Sequence, residues 1–438
     1  MTITSALADI VGTAHVLDLT VRPGSTEEVS RCLALLSAEK ISVVTVGGRT
    51  GLVDATRAEA GQITLSTERL SALHPIDVER RQVVAGAGVK LEAVQGWAGR
   101  MGLRFGVDLG ARGSCTIGGN VATNAGGSRV LRYGMMRQNI AGLEVVLADG
   151  TVVSDLRGLP KNNAGYDLKQ MFIGSEGTLG VVTQALLQLA PLPGASASAL
   201  LAFASFDAAM KAAEALRSGH AQMLSAVEIM WRSYYARTAR AILKDAPLPV
   251  SDEHPVYLLV QIEAGEETSA LLLAALEGLD GVVDGALAQT VAQESALWAI
   301  RDASEIIEQS HPRVLSFDVS LRPSDFAQYL GKVEAALARL AEPSTLYSFG
   351  HLCDGNVHFM IGFTPSDKQS DDAIEQCVYG PLGDVRPSSI SAEHGIGREK
   401  IHHLWRSRDA AEIAIMNRLR RALDPAGILN PHIRFEAG

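Results

Sequence analysis

Apolar residues recur along this chain with two alternating periods, one helical and one extended. Pro23-Gly24-Ser25-Thr26-Glu27-Glu28 reads as a helix start, with Ser25 or Thr26 as the N-cap and acids in the first turn. Val29, Cys32, Leu33 and Leu36 then share one helical face. A β run over 41–46 follows and empties into Gly47-Gly48-Arg49-Thr50-Gly51. Further β runs are predicted at 62–65 and 82–85, the second leading through Gly86-Ala87-Gly88 into a helix over about 91–101. Residues 143–153 read as two β runs joined at Asp149-Gly150, a hairpin signal.

The pattern changes after Pro191-Leu192-Pro193-Gly194-Ala195-Ser196, which marks a domain boundary. Beyond it, strand 199–203, helix 206–217 and strand 227–230 are followed by strand 256–262, helix 267–279 and strand 282–286. Two β-α-β units of similar size predict helices on one face of an antiparallel sheet. A helix over about 293–308 carries Trp298, Arg301 and Glu305, and the last two, four apart, are expected on one face as a surface ion pair or a binding pair. A final helix over 410–423 is stopped by Asp424-Pro425-Ala426-Gly427 and leaves a short tail through Asn430 and His432.

At 438 residues the chain is too long for one ordinary core, and its 47% hydrophobic and 20% charged residues are those of a globular protein. No apolar run approaches the roughly 20 residues that cross a bilayer. The first 21 residues hold no Lys or Arg, unlike a secretory or transit signal, so a cytoplasmic location is expected. A net charge of −10 argues against nucleic acid as a partner. The four cysteines lie far apart with no CxxC pair, and reduced structural thiols are expected.

Two stretches carry candidate chemistry. Residues 110–127, GARGSCTIGGNVATNAGG, are too poor in bulk for a core and too patterned for a linker. Glycine allows close approach of backbone to a ligand, and successive N–H groups form anion sites, so a phosphate-bearing cofactor is the natural occupant. Gly47 to Gly51 after a strand, and Gly174-Ser175-Glu176-Gly177-Thr178 further on, repeat the theme. In the second stretch, His351 and His358 flank an Asp354-Gly355-Asn356 turn, and Glu393 stands beside His394 in a glycine-flanked segment. An odd separation on one straight strand sends two side chains to opposite faces, whereas a turn lets the imidazoles converge. Two His and a carboxylate suit a divalent metal, zinc above all, with iron and manganese also compatible; the leftover imidazole is suited to be a base. Histidines hydrogen-bonded within a core or loop are the alternative. His402 and His403 are expected to be exposed helix residues.

These segments together resemble the FAD-linked oxidase family, with its vanillyl-alcohol-oxidase type flavin domain, and within it the D-2-hydroxyglutarate and D-lactate dehydrogenases. The resemblance runs from Val21 to His432 and rests on GGRTGL (47–52), DLGARGSCTIGGNVATNAGG (108–127), NNAGYDLKQMFIGSEGTLGVVT (162–183), GHLCDGNVH (350–358), SAEHGIG (391–397) and DPAGILNP (424–431). It implies an α+β chain: a two-part FAD-binding α/β domain (1–193), an antiparallel-sheet substrate (cap) domain (194–409), and a C-terminal helical segment (410–438) returning to the flavin. FAD is then expected against Gly47, Gly48, Arg49, Thr50, Gly51 and Leu52, and against Asp108, Gly113, Ser114, Gly118, Gly119, Asn120, Thr123, Asn124 and Gly126. Glu176, Gly177, Val182 and Asn430 are expected to complete the site. The first turn has neither His nor Cys for covalent attachment, so the flavin is expected to be non-covalent. The family further implies His351, His358 and Glu393 as zinc ligands, with His394 as the base that serves hydride transfer from a D-2-hydroxy acid to flavin N5.

The substrate positions depart from the 2-hydroxyglutarate pattern. Arg301 matches, but Glu305 stands where Thr is expected, Ser316 where Lys is expected, and Met360 where Asn is expected. Each change removes affinity for a second carboxylate, so a small 2-hydroxy acid with a neutral, apolar or cationic tail is expected, with Arg322 as a substitute cation that keeps 2-hydroxyglutarate open. An FAD-dependent alcohol or sugar oxidase on the same fold is the rival enzyme reading, and a non-catalytic zinc or nucleotide-binding protein the rival outside catalysis. The electron acceptor (flavoprotein, quinone, cytochrome or oxygen) is not legible, and a homodimer is compatible with the family.

Overall fold

The helical face at Val29, Cys32, Leu33 and Leu36 is fully buried on the helix Thr26–Ala38 in the computed structural model, which describes residues 2–366 and 370–435. Met1, 367–369 and 436–438 of the three expected domains lie outside the described residues. Ser25 is the N-cap of that helix, its side chain accepting from the Glu28 N–H at 3.2 Å. The helix shares a core with a four-stranded sheet in the order Val16–Leu17, Thr20–Val21, Ile63–Ser66, Val43–Val46, whose last three strands run parallel. A second, antiparallel sheet follows in the order Gln82–Gly86, Val181–Gln188, Ile140–Val146, Val152–Asp155. The Asp149-Gly150 turn joins its last two strands, with Gly150 at φ +88°.

The chain forms two compact units. One comprises Met1–Gly127, Tyr133–Leu192 and Glu393–Gly438, the other Ser128–Arg132 and Pro193–Ala392. The return to the first unit therefore comes at Ala392–Glu393, upstream of the 409/410 boundary implied by the resemblance. Two hydrogen bonds tie the segment in: the Arg398 N–H donates to the Val53 carbonyl at 2.9 Å, and the Glu393 carboxylate accepts from the Gly127 N–H at 2.8 Å.

The second unit is built on an eight-stranded antiparallel sheet in the order Val282–Leu287, Ala195–Phe203, Val256–Ala264, Leu224–Trp231, Ser344–His351, Asn356–Phe363, Arg313–Leu321, Ser388–Ser389. Helices cover both faces, where one was expected. Every residue of Asn356–Phe363 is buried, so neither face tolerates water. Tyr234, on a helix Arg232–Leu243 that the pattern did not reveal, stacks on Phe349 at 4.1 Å. Tyr329 of the helix Phe326–Leu337 packs at 5.7 Å on Phe359, which points the other way because its neighbour His358 is the cross-strand partner of Phe349.

The helix expected over 293–308 is two helices, Val291–Asp302 and Ser304–Glu308, interrupted at Ala303, whose ψ of 43° leaves the helical region. Arg301 and Glu305 therefore do not share a helical face. The four cysteines are free thiols, and burial pushes Cys32 up to about 12, consistent with a packing role. Among the described residues no helix is long and apolar enough to cross a membrane.

Candidate functional site

In the first unit a cleft draws on three glycine-rich segments, those that begin at Gly47, at Gly110 and at Gly174. Gly47, Gly118, Gly119, Thr123, Glu176, Gly177, Val182 and Asn430, all expected site residues, line it. The 110–127 stretch folds as a turn running into the helix Ile117–Thr123, which brings Gly118 and Gly119 to the cleft. Gly48 allows the first turn to approach this stretch: a Cβ there would lie 2.2 Å from the Ser114 carbonyl oxygen. Two threonine hydroxyls beside these turns, Thr45 Oγ1 and Thr116 Oγ1, are buried without a hydrogen-bond partner among the described residues. Buried hydroxyls are nearly always paired, so a polar ligand in this cleft fits the residues present.

Asn430 closes the cleft from the C-terminal side. Its Oδ1 accepts from the Thr45 N–H at 3.1 Å, and its Nδ2 donates to the Glu176 carbonyl at 2.5 Å. The tail that delivers it is held by Asp424, whose carboxylate accepts the Ile428 and Leu429 N–H groups at 3.0 and 2.8 Å.

Other expected cofactor residues sit differently. Arg49, Gly51, Leu52, Gly113 and Ser114 are exposed, Thr50 is half-buried and Gly126 is buried, and the cleft lining does not include them. Three polar side chains are engaged within the protein: Asn120 with Cys115 Sγ at 3.5 Å, Asn124 with the Arg137 N–H at 2.9 Å, and Asp108 with Arg112 at 2.8 Å and Gln95 at 3.1 Å.

The second unit brings the two strand histidines together. The turn Leu352–Asp354, with Gly355 at φ +82°, folds Ser344–His351 back on Asn356–Phe363. His351 and His358 then point to the same face, their rings 5.3 Å apart and nearly perpendicular at 82°. Each has a buried carboxylate beside it. Glu228 Oε1 lies 2.8 Å from His351 Nδ1, and Asp318 Oδ1 lies 3.7 Å from His358 Nδ1. Asp318 also accepts the Ala392 N–H at 3.1 Å, which anchors the chain one residue before Glu393 and two before His394.

Glu228 and Asp318 were not singled out from the sequence. The signal is present in hindsight as a lone acid inside an apolar strand, in Val227-Glu228-Ile229 and Phe317-Asp318-Val319. Glu228 is 1% exposed and also receives Arg301 Nε at 2.7 Å. Burial alone would raise its carboxyl, but Arg301 and His351 hold it below the ordinary carboxylate range. Burial likewise opposes the Arg301 charge, and Glu228 more than offsets it. Arg301 Nη2 lies 3.3 Å from His351 Nε2, so guanidinium, carboxylate and imidazole form one buried cluster.

Ser316 pairs across strands with Met360, two residues along from the Asp318 and His358 pair and hence on the same face. Ser316 and Glu305 are exposed and Met360 is buried. Arg322 is bound to Asp325 at 2.8 Å. His402 is exposed as expected, but His403 is buried, in a 3-10 segment Ile401–Arg406 whose Ile401 and Leu404 are buried as well.

Solved structures share this fold. It superposes on 4-ethylphenol oxidase from Gulosibacter chungangensis with a TM-score of 0.74 at 16% identity, over 99% of this chain and 96% of that one. p-Cresol methylhydroxylase also gives a TM-score of 0.74 at 16% identity, over 98% and 95%. At this identity the likeness is one of fold. Residues 17–155 match the family described as FAD binding domain, and 192–433 match FAD linked oxidases, C-terminal domain. The chain belongs to the FAD-linked oxidases. It is 39% identical to D-2-hydroxyglutarate dehydrogenase of Xanthomonas citri pv. viticola, over 94% of this chain and 88% of that one. It is 35% identical both to the mitochondrial D-2-hydroxyglutarate dehydrogenase of Bos taurus (97% and 78%) and to a putative mitochondrial D-lactate dehydrogenase of Schizosaccharomyces pombe (94% and 81%).

Gly48→Ala is expected to yield protein with little or no bound flavin, read as loss of visible absorbance in the purified protein, because the added methyl meets the Ser114 backbone. Glu228→Ala leaves Arg301 buried without its carboxylate and is expected to cost roughly 3–5 kcal/mol of stability. Chemical denaturation should show that loss, and the Glu228→Ala/Arg301→Met double variant should recover part of it.

Proposed function

We propose that this protein is an FAD- and divalent-metal-dependent dehydrogenase that oxidises the CH–OH group of a D-2-hydroxy acid to the 2-oxo acid. The observation that carries the reading is the pair of converging imidazoles, His351 and His358, each beside a buried carboxylate. Carboxylates in that place fix the tautomer and orientation of metal-ligating histidines. His351, His358 and Glu393 are the proposed metal ligands, and zinc is the metal that best suits two imidazoles and a carboxylate. When bound, FAD supplies the hydride acceptor and the metal a Lewis acid for the substrate oxygen.

The chain's own residues do the rest. His394 takes the proton from the substrate hydroxyl as the C2–H bond is broken. Arg301, immobilised by Glu228, receives the substrate carboxylate. The acceptor of the electrons in the second half of the cycle is a separate molecule.

The tail of the substrate is read from Ser316, Met360 and Glu305. None is cationic, and Ser316 and Met360 stand together on the His358 face. That supports a monocarboxylate over a dicarboxylate, with Glu305 favouring a neutral or cationic tail. A second reading, D-2-hydroxyglutarate, is favoured by the names of relatives at 35–39% identity.

His394→Ala is expected to retain FAD while anaerobic flavin reduction by substrate slows about 10²- to 10⁴-fold; unchanged stopped-flow kinetics would exclude the base role. Dialysis against a chelator should remove substrate reduction and leave dithionite reduction intact, with zinc restoring the former. A dye-coupled panel of D-lactate, an aromatic D-2-hydroxy acid and D-2-hydroxyglutarate decides the tail. Preference for the dicarboxylate would establish the second reading in place of the first.

A further inference from the structure

Glu176 lines the flavin cleft, yet its carboxylate is spent on the protein itself. Oε2 accepts the Ile396 N–H at 3.0 Å and Oε1 accepts the Gly397 N–H at 2.9 Å. At the other end of the same short segment the Glu393 carboxylate accepts the Gly127 N–H at 2.8 Å. His394 and Gly395 are therefore bracketed by hydrogen bonds to two cofactor loops, and all these groups belong to the first unit. We propose that Glu176 is a positioning residue, a clasp that holds the segment 393–397 and so fixes His394, and that it does not act through contact with the cofactor.

Three further observations support the clasp. Glu176 adopts φ +50°, a conformation a non-glycine residue takes at a cost, so its placement is held by its surroundings. Its side chain is buried, where a carboxylate persists only with strong donors; burial raises its pKa, and the Ile396 and Gly397 N–H groups and the Lys400 charge oppose that rise. Gly395, at φ +84°, comes so close that a Cβ would lie 2.6 Å from Glu176 Oε1. A carboxylate offers two acceptors to two N–H donors at this spacing, whereas an amide offers one acceptor and opposes the second donor.

The inference rests on the reading of His394 as base and Glu393 as ligand, and the test separates the two. Glu176→Gln and Glu176→Ala are compared with the parent as FAD-loaded proteins by hydrogen-exchange mass spectrometry and anaerobic stopped flow. The expected result is at least tenfold faster exchange confined to the peptide containing 393–397, with flavin reduction by substrate about 100-fold slower, as a displacement of about 1 Å at a reacting group produces. FAD content and dithionite reduction should be unchanged. Loss of FAD with normal exchange in that peptide would overturn the proposal in favour of direct cofactor contact, and fast exchange with normal reduction would overturn the positioning role.

Gly395→Ala serves where the Glu176 variants fail to fold, since it pushes the segment from an intact carboxylate and should give the same two effects. In the double variant the effects should be less than additive, as for groups sharing one contact. If His394→Ala reduces flavin normally, the proposed function fails, while the exchange result still reports whether Glu176 holds the segment.

Discussion

Three hydrogen bonds at Asn430 are the constraint on which the first unit depends. The side chain joins the first strand-turn at Thr45 to the Glu176 turn, and the backbone N–H donates to the Val43 carbonyl at 2.9 Å. Leu429 bridges to Val43 in the manner of an added parallel strand. The parallel sheet, the cleft and the C-terminal tail are thereby one structure. Removing the asparagine side chain would leave a buried N–H and a buried carbonyl unpaired, each worth about 1–3 kcal/mol. Arg420 reinforces the same loop, donating to the carbonyls of Leu429, Asn430 and Ile433.

In the second unit the comparable constraint is electrostatic. Glu228 sits in the interior with one oxygen on Arg301 and the other on His351. Taking either partner away leaves a charge that the interior cannot solvate. The cluster therefore fixes the His351 ring and the Arg301 fork together, as the proposed function asks of them. Its position follows from sheet register, since Glu228 and His351 are direct cross-strand partners.

Much of this was legible in the chain. The helical face of Val29 to Leu36, the Asp149-Gly150 hairpin and the turn between His351 and His358 are local patterns with one physical solution each, and all three are observed. The cleft was legible from its glycines, because residues without bulk at several turns have few uses other than close approach. What was hidden was non-local. The break at Ala303 is invisible to a periodicity that continues through it, and so Arg301 was paired with Glu305 when it faces Glu228, 73 residues away. The second helical layer escaped because a sheet buried on both faces loses the alternation that marks a single covered face. The function of Glu176 escaped for a similar reason: its partners, Ile396 and Gly397, are backbone N–H groups that no side-chain motif encodes.

The separation of Thr45 from Asn430, 385 positions along the chain, has a bearing on biogenesis. A ribosome completes the turn and strand that start the cleft early, then makes the whole second unit before the residue that closes it. Until then the Thr45 N–H and the Glu176 carbonyl lack the side chain that joins them, and their joining is a contact of long sequence separation. A nascent polypeptide stalled before residue 430 lacks the side chain that joins the Thr45 and Glu176 turns, so those two turns become one structure only once the C-terminal tail is made.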